Sequence, residues 1–222
     1  MSAIYLIRHG QASFGSTNYD ALSKTGHEQA RVLGVALKTR LPQVDAVLSG
    51  SMRRHRETAA NCLETMGLSM TPAEDSGFNE YDHEEVVNRY RPEYVDRKVM
   101  WAEFGASEDP KRAFQAMFAK AIERWMAGGH DAEYTESWPD FRARTAASFD
   151  ALVAGLGASK TALVFTSGGV IAALVQRSLG IPNASVFAIN WTLANCGVTK
   201  FICGARGVYL STLNEHAHFE GA

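Results

Sequence analysis

The chain has 222 residues, 22 basic and 24 acidic side chains for a formal charge of −2, with 46% hydrophobic and 21% charged residues. These ordinary globular values exclude long disorder and collagen-like structure, and they fit one large domain or one domain carrying an insertion. The near balance of charge supplies no basic field for a nucleic-acid backbone, so no nucleic-acid partner is expected. The longest apolar run, Val170 to Val175, is far too short to span a bilayer, and Met1 to Arg8 carries no basic leader. Cys62, Cys196 and Cys203 are odd in number and lack C-x-x-C spacing, which argues against a disulfide framework or a zinc ribbon. The expectation is a cytoplasmic protein without a membrane partner, cofactor or metal.

Ile4 to Ile7 is a short continuous apolar run ending at Arg8-His9-Gly10, and it predicts a buried strand with the polar pair at its carboxyl end. After the polar loop Ser13 to Asp20, Ser23 caps a predicted helix carrying Ala30, Leu33, Leu37 and Leu41. Asp45 to Ser49 reads as a second strand, turning through Gly50 and Ser51 into a helix with Thr58, Cys62 and Met66 on one side. Between Glu85 and Phe141 the signals are helical only, the best being Asp109 as cap, Pro110 in the first turn, and the stripe Phe114, Met117, Phe118, Ala121, Ile122 and Trp125. Ten of the 22 aromatic residues fall in this stretch, and an aromatic-packed helical subdomain is favoured there over an aromatic substrate box. Phe149, Leu152, Val153 and Leu156 mark a helix stopping at Gly157, and Thr161 to Thr166 is another buried strand. Ser167-Gly168-Gly169 then opens an apolar helix ending at Gly180, and strands near Cys196 to Cys203 and Val208 to Leu213 form a hairpin. His216 and His218 read as part of a solvated tail. Alternating strands and helices predict an α/β fold, a three-layer α/β/α sandwich around a mostly parallel sheet. The expected organisation is a single domain over residues 1–222, with 85–141 as a helical insertion that caps it.

Ligands gather at the carboxyl ends of strands in open α/β sheets. Three such ends carry unusual residues: Arg8-His9-Gly10, the cluster Arg53-Arg54-His55-Arg56, and Ser167-Gly168-Gly169. Arginines near a histidine suit a phosphate, because guanidinium forks match phosphoryl oxygens and keep their charge at any working pH. A neutral imidazole beside them is a competent nucleophile toward phosphorus. Each element alone has a plainer reading: a structural Arg-His pair, a solvated helix face, a carboxylate in an acidic loop.

Together the motifs resemble the histidine phosphatase superfamily, the phosphoglycerate-mutase-like proteins. The run Leu6-Ile7-Arg8-His9-Gly10-Gln11-Ala12 resembles the signature at the nucleophilic histidine, and Leu22 to Ala30 is similar to the block that follows it. Ser49 to Ala59, with Arg54, Thr58 and Ala59 in register, resembles the Arg-Ala-x-Gln-Thr-Ala block. Phe78-Asn79-Glu80 resembles the block with the acid, and Glu136-Ser137 with Asp140 and Arg144 the block before the last core strand. The resemblance implies that His9 becomes a phosphohistidine, that Arg8 and Arg54 hold phosphoryl oxygens in place of a metal, and that Glu80 is the general acid and base. The expected catalytic set is His9, Glu80, Arg8 and Arg54. Arg8, Arg54, Ser167, Gly168, Gln11 and His83 are the expected substrate-binding set, and the substrate is a small phosphomonoester or phosphate.

Two features depart from the family pattern. Ser167 stands where the family usually has a second histidine, within Ser-His-Gly-Gly. A serine donates one neutral hydrogen bond and brings no charge, so the amides of Gly168 and Gly169, or a nearby His55 or His83, are the expected substitutes. Ala12 stands where mutases usually carry threonine or serine, and the loop to Leu22 reads as short, which argues against a sugar-phosphate mutase. The expected activity is metal-independent hydrolysis of phosphomonoesters. The alternatives are a phosphoglycerate-mutase-type phosphotransferase and a low-activity phosphate-binding protein.

Overall fold

A computed structural model describes residues 1–13 and 20–220. The short loop before Leu22 therefore lies largely outside the described residues. The strands are β1 (Ser2–Arg8), β2 (Ala46–Ser49), β3 (Ala73–Glu74), β4 (Thr161–Thr166), β5 (Val198–Gly204) and β6 (Gly207–Glu215). The helices are α1 (Lys24–Arg40), α2 (Arg53–Met66), α3 (His83–Tyr90), α4 (Arg97–Gly105), α5 (Pro110–Met126), α6 (Trp138–Leu156), α7 (Gly168–Leu179) and α8 (Asn183–Thr192). One six-stranded sheet runs β3-β2-β4-β1-β5-β6. The β3-β2, β2-β4 and β4-β1 pairs are parallel, and β5 and β6 add the antiparallel edge. This is the α/β fold that the alternation of elements predicts.

Side chains that alternate along each strand divide the core between the two sheet faces. Ile4 and Leu6 of β1, with Ala162 and Val164 of β4, face one cluster with Phe149 of α6 and Val170, Ile171 and Leu174 of α7. Ile7, Val47, Leu163 and Phe165 face the other, against Leu33 and Leu37 of α1 and Ala59, Cys62 and Leu63 of α2. β4 is buried on both faces, which is why Thr161 to Thr166 reads as an unbroken apolar run.

Local chemistry sets the helix ends. Ser23 Oγ accepts from the Gly26 amide at 3.1 Å at the start of α1, and Asp109 accepts from the Arg112 amide at 3.0 Å at the start of α5. Ser137 and Asp140 form a reciprocal capping box that starts α6 at Trp138. The last residues of the 85–141 segment therefore belong to a core helix, and its first residue, Glu85, lies inside α3. The helices between these limits share the first core cluster through Phe104, Met117, Ile122 and Trp125. Aromatic packing gathers on Trp125, whose ring lies 4.7 Å from Tyr81, 5.2 Å from Trp138 and 5.8 Å from Phe141. The tail differs from the expected solvated end, because Phe219 packs against the second core cluster and both ring nitrogens of His218 are buried. Among the described residues no helix is long and apolar enough to cross a membrane.

Candidate active site

The sheet order brings three strand ends together. β4 lies between β1 and β2, so Ser167 at its end falls between Arg8-His9 and the turn from β2 into α2. The His9 amide donates to the Thr166 carbonyl at 2.8 Å, continuing the β1-β4 ladder one residue into the loop. Asn195 Nδ2 donates to the His9 carbonyl at 3.0 Å, and the Cys196 amide donates to that of Arg8 at 3.0 Å. The Gly10 amide donates to Thr58 Oγ1 at 3.1 Å, and that hydroxyl donates to the Arg54 carbonyl at 2.6 Å. The histidine loop is thus tied to β4, to the start of β5 and to α2.

His9 is buried, and its Nδ1 donates to the Gly10 carbonyl at 2.7 Å. A carbonyl can only accept, so the neutral ring carries its proton on Nδ1 and its lone pair on Nε2. Burial, followed by the charges of Arg54 and Arg8, lowers the His9 pKa to about 3. The ring is therefore neutral at neutral pH, with Nε2 unprotonated.

Of the four-residue basic cluster, Arg53 and Arg56 are exposed, whereas Arg54 and His55 are buried. The cluster is therefore not simply a solvated helix face. Arg54 Nη1 pairs with Asp20 Oδ1 at 2.8 Å, and Arg54 Nε is buried without a hydrogen-bond partner. Asp20 Oδ2 also accepts from the Arg53 amide at 2.8 Å, at the start of α2. Arg8 Nη1 donates to the Leu193 carbonyl at the end of α8.

Glu80 lies between two buried aromatics, Phe78 and Tyr81. Thr166 Oγ1 donates to the Phe78 carbonyl at 2.6 Å, fastening this loop to the end of β4. Arg144 grips the loop from α6, with Nη1 donating to the carbonyls of Ser76 at 2.8 Å, Gly77 at 3.0 Å and Asn79 at 3.2 Å. Its Nε and Nη2 form a fork onto Glu136 at 2.6 and 2.8 Å. Burial raises the Glu80 pKa, opposed by the Gly169 amide, Arg54, Arg8 and the Tyr81 amide.

Gly169 donates its amide to Glu80 Oε2 at 3.0 Å, and a Cβ there would lie 2.1 Å from Glu80 Oε1. In this structure that amide is engaged by the acid. Gly168 opens α7 beneath the Asn190 carboxamide, close to Arg8. Ser167 is fully buried, and His55 Nε2 lies 2.6 Å from its Oγ. The His55 ring is 5.7 Å from that of His9. Between the two histidines named from sequence, the structure brings His55 to the serine. His83 sits in the first turn of α3, partly buried, with its pKa lowered by burial and affected by the charge of Arg54. Gln11 is exposed at the rim, where its Oε1 accepts from Ser23 Oγ at 2.8 Å; the structure ties it to the start of α1.

The family model of the histidine phosphatase superfamily, branch 1, matches residues 4–112 and 95–216. The chain belongs to this superfamily. A 2,3-bisphosphoglycerate-dependent phosphoglycerate mutase of Thermobifida fusca is 26% identical over 214 residues, covering 86% of this chain and 83% of that one. Among solved structures, a phosphoserine phosphatase of Entamoeba histolytica in complex with phosphoserine has a TM-score of 0.65 at 16% identity, over 99% of this chain and 100% of that one. A mycobacterial glucosyl-3-phosphoglycerate phosphatase has a TM-score of 0.65 at 22% identity, over 97% and 99%. A phosphoglycerate mutase of Bacillus anthracis has a TM-score of 0.66 at 17% identity, over 98% and 94%. The superfamily thus includes phosphatase and mutase neighbours sharing this chain's fold.

Several residues that shape this candidate site carry no motif in the sequence. Asp20, Asn190, Leu193 and Asn195 make their contacts from loops or from α8, and only tertiary structure brings them to Arg8, His9 and Arg54. Arg144 and Glu136 were found as motif residues, and their contacts show them holding the loop that carries Glu80.

Proposed function

We propose that the protein hydrolyses small phosphomonoesters through a phosphohistidine at His9, without a metal. The observation that carries this reading is the His9 tautomer. Its Nδ1 proton is given to Gly10, its Nε2 lone pair is free of protonation at neutral pH, and two guanidinium groups act on the same ring.

His9 Nε2 attacks phosphorus, and the bond from phosphorus to the ester oxygen breaks. Glu80, whose pKa is raised by burial, acts in its acid form and gives its proton to the leaving oxygen. Arg8 and Arg54 hold the equatorial oxygens and balance the charge that collects there. In the second half, the Glu80 carboxylate takes a proton from water as its oxygen attacks phosphorus. The P–N bond breaks, releasing inorganic phosphate and restoring His9 and Glu80. In this reading helices α3 to α5 serve as the cap, and specificity for the leaving group resides there and in the loops.

The likeness to phosphoglycerate mutases supports a second outcome, in which the phosphoryl group returns to an isomeric product. A panel of phosphomonoesters, assayed with wild type and His9→Ala, separates the readings by product. Inorganic phosphate that needs His9 and persists with chelators supports the hydrolase, and an isomeric phosphoester supports the mutase. Phosphate binding without turnover makes the protein a binding protein, and activity abolished by EDTA and restored by zinc moves the chemistry to a metal.

A further inference from the structure

His55 and Ser167 stand 112 residues apart in sequence and 2.6 Å apart in the fold, both with zero solvent exposure. Burying two polar side chains in contact, beside two arginines, costs free energy unless their hydrogen bonds are made. The orientation of the pair follows from its other neighbours. His55 Nδ1 has no hydrogen-bond partner and faces Gly50, where a Cβ would lie 2.3 Å from it. A lone pair against a Cα–H is tolerated, whereas an N–H aimed at carbon would be a stranded buried donor. The proton therefore belongs on Nε2, which donates to Ser167 Oγ.

That assignment leaves the serine's own proton free. Ser167 precedes α7 but makes no side-chain cap to it, and among the described residues its hydroxyl has no partner besides His55. It also directly follows Thr166, whose carbonyl accepts from the His9 amide, and the ring of its partner His55 lies 5.7 Å from that of His9. Burial, then the neighbouring His9 and Arg54, keeps His55 well below its usual pKa and hence neutral.

The geometry points to His55 and Ser167 acting as one donor unit: the imidazole fixes the serine hydroxyl so that its proton is donated to a phosphoryl oxygen held at His9. In this unit Ser167 is the catalytic residue and His55 the positioning residue. The pair supplies a neutral donor where a third cation would have to be buried beside Arg8 and Arg54. Gly50 is the matching concession in the turn after β2, since any side chain there would meet the ring. The inference rests on the phosphohydrolase reading above.

The test compares Ser167→Ala, His55→Phe, His55→Gln and the Ser167→Ala/His55→Phe double variant in kcat/KM for an activated phosphomonoester and in Kd for inorganic phosphate. Ser167→Ala and His55→Phe should each lower kcat/KM by about 10²-fold, the loss typical of one preorganised donor. The double variant should lose no more than the worse single one, because the two act as a unit. His55→Gln, whose Nε2 can still donate to the serine, should recover to within about tenfold of wild type, which a purely structural role of the ring would not produce. Additive losses, a His55→Gln variant as poor as His55→Phe, or a Ser167→Ala variant within about twofold of wild type would each overturn the pair. Phosphate affinity needs no turnover and keeps the two readings apart. Phosphate weakened in Ser167→Ala and His55→Phe in a protein that hydrolyses nothing would keep the pair and overturn the hydrolase, whereas phosphate binding unchanged in both variants would overturn the pair.

Discussion

Asp20 Oδ1 lies 2.8 Å from Arg54 Nη1, so a guanidinium that acts on His9 is already partly neutralised from the loop side. A phosphoryl dianion must compete with this carboxylate or add to it. Asp20→Asn keeps an oxygen for the Arg53 amide at the start of α2 but removes the charge. It should tighten inhibition by inorganic phosphate by roughly threefold to tenfold, in line with one partly exposed charge contact. Competitive inhibition measured at low salt checks this; unchanged or weaker inhibition would mean that Arg54 does not meet the phosphate.

The fork from Arg144 to Glu136 and the three carbonyls of the Glu80 loop predict a leaving-group signature. Glu80→Gln removes the proton donor, so kcat/KM for alkyl phosphates should fall by about 10²–10³-fold while nitrophenyl phosphate, whose leaving group needs no proton, changes little. Arg144→Lys cannot reproduce the bidentate contact, and it should show the same pattern more weakly, with a lowered Tm. Equal losses for good and poor leaving groups would remove Glu80 from the acid role.

Four histidines, His9, His55, His83 and His218, have pKa values lowered mainly by burial, with His9 at about 3. The unfolded chain binds protons on them near about pH 6.5, where the folded chain does not. Their stabilisation is therefore complete above that pH and is lost as pH falls toward the folded values, at about 1.4 kcal/mol per pH unit for each proton. Glu80, with its pKa raised, acts in the opposite sense and lessens the slope at the acid end. Tm in phosphate-free buffer should fall between about pH 7 and about pH 5, and less steeply in His9→Asn. A flat profile, or equal slopes in the two proteins, would contradict the burial of neutral imidazoles.

What could be read from sequence was whatever local chemistry or strong patterning encodes. The caps at Ser23 and Asp109 act within three residues of themselves, and β4 is a single apolar run. Arg8 and His9 are legible because they end the apolar run of β1, and Arg54 because its block has a recognisable spacing. α8 was not predicted: Val186 is its one buried residue and no side chain caps it, so neither periodicity nor punctuation marks it. Asp20 is one carboxylate in a polar loop until the fold carries it to Arg54, 34 residues on. His55 could be named only as a neighbour of Arg54 in sequence. Its contact with Ser167 depends on β2 and β4 lying side by side, a pairing that no local pattern specifies.

The central claim is that His9 carries the phosphoryl group, and rapid-quench trapping tests it most directly. Wild-type enzyme mixed with phosphorus-labelled nitrophenyl phosphate should yield a protein adduct that is stable in base and labile in acid, as a phosphoramidate is. Peptide mapping under basic conditions should place that label on His9, and His9→Ala should take up none. Label on Ser167 or any other hydroxyl, or turnover in wild type without label on His9, would contradict the account.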